Sequence, residues 1–274
     1  MIIDAHHHFW DPGRADYPWM AAPELAPIRR AFGPADLAPL RAAHGIDATI
    51  VVQCRSSLDE TAAMLRAAAS DPTIVGVVGW VDLTDPDVGA VLDRIAGPTL
   101  VGIRHQVHDE IDADWLSRPD VRRGLGAVFD RDLAFDLLVR TRELPAAIAA
   151  ARAFPQGRFI LDHAAKPPVA TGFDTVWAER LAALAACPNV WCKISGLVTE
   201  AAWQDWDVER LRPFVDHAAK VFGPGRLIFG SDWPVCLLAA DYGAVKDAAD
   251  RLLPADAFGA NAISAYRLSR AQPA

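Results

Sequence analysis

Three histidines in a row occupy positions 6–8, inside "DAHHHFW" (residues 4–10). Successive side chains of an extended strand point to opposite faces, so Asp4, His6 and His8 are expected on one face and His7 on the other. Two imidazoles on one face of a strand end can converge on a metal ion. Histidines satisfied inside a core would leave the same pattern, so this spacing alone does not choose between the two.

Four later segments carry groups of comparable chemistry. "GIRHQ" offers Arg104 and His105, and "ILDHAAKP" offers Asp162, His163 and Lys166. In "VWCKISG" Lys193 and Ser195 share a face, and in "IFGSDWPV" Asp232 follows a Gly-Ser turn. Each also has a plain structural reading. Asp162 could cap a helix, Lys193 could pair with a structural carboxylate, and Asp232 could cap the turn before Pro234. The readings separate only if the fold brings all of these segments to one end.

The elements that must do so are legible as an alternation. Runs rich in Val, Ile, Leu and Phe predict strands at Ile2–His8, Thr49–Gln53, Ile74–Asp82, Leu100–Arg104, Ala134–Val139, Arg158–His163, Val190–Ser195 and Leu227–Ser231. Between them, apolar residues at helical spacing predict helices such as Leu58–Ser70, Asp87–Ala96, Pro145–Phe154, Thr175–Ala186 and Val208–Phe222. Eight such units in this length predict an α/β fold, a (β/α)8 TIM barrel forming a single domain over residues 1–274. A doubly wound sheet is the alternative, but it would need a Gly-rich turn after the first strand, and none stands there. Pro12–Pro39, with "DYPWM" and several prolines, breaks the rhythm as a long loop after the first strand. A barrel carries its chemistry where the strands end and such loops begin, so the polar segments are expected to meet there.

Composition narrows the function classes. The chain has 274 residues, 52% of them hydrophobic, enough for a large core. A net charge of −8 and a pI near 5.4 give no electrostatic footprint for nucleic acid. The longest apolar run, around Ile74–Val81, is too short to cross a membrane, and the start lacks a signal-peptide pattern. Cys54, Cys187, Cys192 and Cys236 are spaced neither as a disulfide framework nor as a zinc cluster, which fits reduced thiols and a cytoplasmic location. Assembly into a homo-oligomer is compatible with this composition and not dictated by it.

Taken in order, "IDAHHHFWDP", "DYPWM", "GIRH", "LDHAAKP", "KISGLVTE", "FGSDWP" and "NAISAYRL" resemble the amidohydrolase superfamily from Ile2 to Leu268. The resemblance is strongest to its branch of TIM-barrel hydrolases that includes sugar-lactone hydrolases. It implies that His6, His8, His163 and Asp232 are ligands of one divalent metal, usually zinc, and that Asp232 also takes a proton from the attacking water. Binuclear members place a lysine or glutamate at the end of the fourth strand and a histidine on the fifth. This chain has Arg104 and His105, then Phe135 and Asp136, so a second metal is not expected. Some members of the lactonase branch are held to need no metal, in which case Arg104 and Lys193 are the cations available to a carbonyl.

A lactone is an ester closed into a ring; opening it takes a base for water and positive charge or donors at the carbonyl oxygen. Asp232 is the expected base, with His163 and either Arg104 or a metal stabilising the oxyanion. Gln53, His105, Lys193 and Glu200 are candidates to hydrogen-bond sugar hydroxyls, and Trp10 and Trp233 to offer flat faces to the ring. With nine tryptophans in the chain, packing is the competing account for both. The expected activity is therefore a hydrolase acting on a small-molecule sugar lactone. A metal-dependent decarboxylase of an unsaturated or aromatic acid would call for several arginines at the strand ends, where only Arg104 stands, with Arg55 as a helper. A non-catalytic sugar-binding barrel would be expected to have lost Asp232 or His163, and both are present.

Overall fold

In the computed structural model, which describes residues 1–268, the apolar runs become eight parallel strands hydrogen-bonded in chain order. They are β1 (Ile3–His7), β2 (Ala48–Val52), β3 (Ile74–Gly79), β4 (Leu100–His105), β5 (Ala134–Leu137), β6 (Arg158–Leu161), β7 (Val190–Ile194) and β8 (Leu227–Phe229). The end of β8 returns to β1: Asp232 N–H donates to the His6 carbonyl at 2.8 Å, and His8 N–H to the Trp233 carbonyl at 2.7 Å. The expected (β/α)8 barrel is the fold.

Helices follow each strand: α1 (Pro34–Ala43), α2 (Leu58–Ser70), α3 (Val88–Ile95), α4 (Pro119–Phe129), α5 (Leu144–Ala153) and α6 (Thr175–Ala185), then the short α7 (Leu197–Glu200) with α8 (Val208–Phe222), and α9 (Tyr242–Leu252). Ser57, Asp174, Asp207 and Asp241 cap α2, α6, α8 and α9, each accepting a first-turn backbone N–H that has no partner inside its helix. The region expected as one loop to Pro39 is a helix from Pro34 onward. A proline at the first helical position loses no hydrogen bond, so Pro34 starts α1 rather than blocking it.

Two layers of core result. Ile3, Ala5, Ile50, Val52, Val78, Ile160 and Ile228 fill the barrel, and Tyr266 of the last helix, α10 (Ala260–Tyr266), enters with them. Val77, Ile103, Phe135, Phe159 and Phe229 face outward against helical residues such as Leu125, Trp177 and Phe214. Helix α10 closes the N-terminal mouth. Its Asn261 side chain donates to the carbonyls of Pro224 (2.8 Å) and Leu227 (2.7 Å), and Arg158 donates to the Ala265 carbonyl (2.9 Å). Among the described residues, no helix is long and apolar enough to cross a membrane.

Two departures from simple alternation position the site. First, β6, β7 and β8 stop earlier than expected, so Asp162, His163, Ser195 and Asp232 lie just beyond the ladder. The backbone turns there through positive φ at His163 (54°), Ala164 (50°), Ala165 (61°), Lys166 (50°) and Asp232 (57°). Secondly, β1 carries a bulge: Asp4 pairs with Thr49 but His7 with Val51, three steps on one strand against two on the other. The phase of β1 flips across it. Asp4 therefore faces outward, away from His6 and His8, contrary to the expectation that all three share a face.

Helix α4 supplies a test of how tightly the helical layer is seated. A methyl on Gly124 would overlap the Leu83 carbonyl and lie 2.8 Å from Leu83 Cα, whereas one on Gly126 would meet nothing nearer than Phe154 at 3.9 Å. Gly126→Ala should raise unfolding stability by about 0.5–1 kcal/mol through helix propensity and lost chain entropy. Gly124→Ala, two positions away in the same helix, should lower it by about 1–3 kcal/mol through overpacking. Denaturant midpoints of the two variants against the parent chain check the opposite signs.

Candidate active site

The bulge turns His6 and His8 into the barrel mouth, and the residues after β8 bring Asp232 to them. Asp232 Oδ1 lies 3.3 Å from His8 Nε2 and 3.7 Å from His6 Nε2. His8 Nδ1 lies 2.7 Å from the Val52 carbonyl, which can only accept, so Nδ1 carries a proton and Nε2 is the ring nitrogen turned to the carboxylate. His163 completes the group: its ring centroid is 4.5 Å from that of His6, and its Nδ1 is 2.9 Å from Ser195 Oγ. Gly196, at φ +64°, backs both partners, since a Cβ there would sit 2.6 Å from His163 Nδ1 and 2.8 Å from Asp232 Oδ2. The four residues singled out from distant segments are thus neighbours at one strand-end cluster.

Burial would raise the Asp232 carboxyl, but the imidazoles of His163, His8 and His6 outweigh it and hold the group below the usual carboxylate range. Burial pushes His163 down to about 4, against the pull of Asp232 and Asp162. Burial likewise takes His6 well below its ordinary value, with Asp162 opposing. Neutral His6 and His163 rings beside an ionised carboxylate are the consequence.

Beneath the quartet lies a ladder of buried charge. Arg104 Nη1 is 2.9 Å from Asp162 Oδ2 and 3.2 Å from His6 Nε2, and Nη2 donates to the Gln53 carbonyl. Lys193 Nζ is 2.5 Å from Asp136 Oδ2, 3.0 Å from Asp162 Oδ1 and 3.3 Å from His6 Nδ1. Tyr266 donates its hydroxyl to Asp136 from below at 2.7–2.9 Å. Burial pushes Asp136 up to about 6 despite Lys193, whereas Lys193, His6 and Arg104 overcome burial at Asp162 and hold it well below the carboxylate range.

Several expected substrate contacts are placed elsewhere. Lys193 is fully buried and its ammonium is shared by two carboxylates, so it is a floor residue. His105 points away from the barrel axis: it stacks on Trp115 at 4.2 Å, accepts from Trp80 Nε1 at 3.1 Å and meets Glu110 at 2.7 Å, leaving neither ring nitrogen for a sugar. Trp233 is 1% exposed and packs edge-on against Phe9 and Phe32, and Trp10 donates its indole N–H to the Ile28 carbonyl, so packing accounts for both. Gln53 donates its amide to the Arg104 carbonyl at 3.0 Å and keeps a buried amide oxygen without a partner. Glu200 is held between Arg140 (3.0 Å) and Lys166 (3.3 Å). Sequence reasoning did not assign roles to Asp136, Tyr266 or Gly196; it noted Asp136 only as the residue on the fifth strand where binuclear relatives carry a histidine, and the structure sets it in register with Arg104.

The donor set suits a divalent cation. One ligand atom from each of His6, His8 and Asp232 lies within 4.8 Å of the others, and two imidazoles with a carboxylate are a usual ligand set for such an ion. His6, Asp162 and His163 form a second group of the same span. That group is already neutralised by Arg104 and Lys193, so two organic cations stand where a second metal would be held.

A family model described as amidohydrolase matches residues 3–268. The chain belongs to the amidohydrolase family. Among curated proteins it is 43% identical over 280 residues to an L-fucono-1,5-lactonase of Burkholderia ambifaria, covering 98% of this chain and 96% of that protein. It is 41% identical over 260 residues to an L-fucono-1,5-lactonase of Burkholderia multivorans, covering 91% and 87%. Among solved structures, an amidohydrolase from Burkholderia multivorans with bound zinc superimposes with a TM-score of 0.92 at 40% identity, covering 98% of this chain and all of that one.

The placement of Lys193 in this amidohydrolase is testable by its thermodynamic signature. Lys193→Met should destabilise the fold by about 3–5 kcal/mol, because it leaves buried Asp136 without its cation and removes one of the two that balance Asp162. A hydroxyl-binding lysine would instead raise KM at unchanged stability, so denaturation and steady-state kinetics on the same variant distinguish the roles.

Proposed function

We propose that this chain is a hydrolase that opens a sugar lactone, a 1,5-lactone of an aldonic acid being the first candidate. The observation that carries the reading is an ionised carboxylate, Asp232, set among three imidazoles at the mouth of the barrel. Full-length identity of 41–43% to two L-fucono-1,5-lactonases supports the choice of bond.

Asp232 accepts a proton from water as the water oxygen attacks the ring carbonyl carbon. His163, steadied by Ser195, is the group on hand for the developing oxyanion, while Arg104 stays beneath it, tied to Asp162, His6 and the Gln53 carbonyl, and contributes only its buried positive charge. When the tetrahedral carbon collapses, the bond to the ring oxygen breaks and Asp232 returns its proton to the departing hydroxyl. The acid formed then loses its own proton to solvent. A carboxylate held below its usual range is a weak base, which suits a strained, electrophilic ester and an oriented water better than an unactivated amide. His6, His8 and Asp232 are the residues grouped to hold a divalent metal, with His163 beside His6 as the further ligand the resemblance implies, and such a cation would add Lewis-acid polarisation there.

A decarboxylase of an aromatic acid has less support: Arg104, the arginine expected to meet its carboxylate, is committed to Asp162, His6 and the Gln53 carbonyl. We place the enzyme in the cytoplasm, where the four buried, unpaired cysteines would stay reduced.

Acid release from a panel of aldono-1,5- and 1,4-lactones, followed in weak buffer with and without chelator, tests the reading. Opening of at least one lactone well above the buffer rate is expected, and loss of CO₂ from an unsaturated acid without any lactone opening would reject it. Asp232→Asn should reduce turnover by at least about 10⁴-fold, comparable to removing the base of a hydrolase, with an unchanged unfolding transition. Retention of most activity would remove Asp232 from the role of base.

A further inference from the structure

Asp4 is fully buried, faces away from the quartet, and touches none of its side chains, yet its carboxylate is tied to both halves of the site. Its Oδ1 accepts the His6 backbone N–H at 3.2 Å, the donor that the β1 bulge releases from the ladder, and also the Ser231 N–H at 2.8 Å. Its Oδ2 accepts the Tyr242 hydroxyl at 2.9 Å from α9. Ser231 immediately precedes Asp232, whose own N–H returns to the His6 carbonyl at 2.8 Å. A single carboxylate therefore spans the bulge that aims His6 and the turn that aims Asp232.

The surroundings leave little slack. A Cβ on Gly230 would lie 2.5 Å from His6 Cβ, so the two strands meet there at backbone distance. Asp232 itself sits at φ +57°, a conformation an aspartate holds only when its surroundings fix it. Unbulged alternation continued from Ile3 and Ala5, which face the barrel interior, would point His6 and His8 at the helices and His7 inward.

We propose that Asp4, braced by Tyr242, is a positioning residue of the catalytic centre: it locks the β1 bulge and the turn after β8, and so sets His6 and Asp232 in register. The inference deepens the proposed hydrolysis and rests on it for its kinetic readout. The side chain acts through the backbone, so its loss displaces the reacting groups without removing any of them.

Tyr242→Phe, which keeps both Oδ1 bonds and removes only the brace, should lower kcat about 10-fold, and Asp4→Asn about 100-fold, with KM changed less than about threefold. Asn261→Ala, which loosens α10 at the far mouth of the barrel, should lower the unfolding midpoint while leaving kcat per folded molecule intact. In histidine-labelled protein, the ring-nitrogen NMR signals of His6 and His8 should move in Tyr242→Phe and hold still in Asn261→Ala. Unchanged kcat and ring signals in folded Tyr242→Phe would overturn the proposal, as would an equal kcat loss in Asn261→Ala or a rise in KM alone. If Asp4→Asn does not fold, Tyr242→Phe decides. If the parent chain opens no lactone, the proposed function fails while the ring signals still decide this inference.

Discussion

Charge taken out of water has to be balanced where it lies, and this barrel is organised around that requirement. Asp136, Asp162, Lys193 and Arg104 are all essentially withdrawn from solvent along the barrel axis. Each carboxylate has a cation within 3.0 Å, so the floor of the site is neutral as a unit. An unpaired member would face a desolvation penalty of several kcal/mol. Asp232 stands above this unit with imidazoles for neighbours and no formal cation of its own. An ionised carboxylate above a neutral floor is what gives the mouth its chemistry, because it can take a proton.

The barrel closure and the site are the same piece of structure. The hydrogen bonds that join β8 to β1 run through His6, His8, Asp232 and Trp233. In most closed sheets the seam could be anywhere, but here the last strand's turn and the first strand's bulge meet where the reacting groups are held. Asp232 holds its positive φ at that seam, fixed by the packed surroundings.

The sequence showed the scaffold clearly and the second layer of the site poorly. Strands β1 to β8 and helices such as α2 and α8 follow from apolar periodicity, because a strand buried on both faces and an amphipathic helix leave regular traces. Helix α1 was hidden by its prolines, which made Pro12–Pro39 read as one loop. His6, His8, His163 and Asp232 were legible because they end strands in a fold that gathers strand ends. Lys193 and His105 have equally suitable chemistry, yet their neighbours decide their use: two carboxylates for one, Trp80, Trp115 and Glu110 for the other. Asp4 was assigned to the wrong face because one inserted residue in a ladder inverts every later side chain and leaves no mark in composition.

Tyr266 adds a consequence for how the molecule is made. Its hydroxyl caps the lowest carboxylate of the axial ladder, and it comes from the last helix described, more than 250 residues after the histidines at the top. Earlier strands can pair before it arrives, but the Asp136 carboxylate lacks its hydroxyl donor until α10 docks beneath it. The axial ladder is thus completed by a contact of very long sequence separation, of the kind that forms late in folding rather than nucleating it.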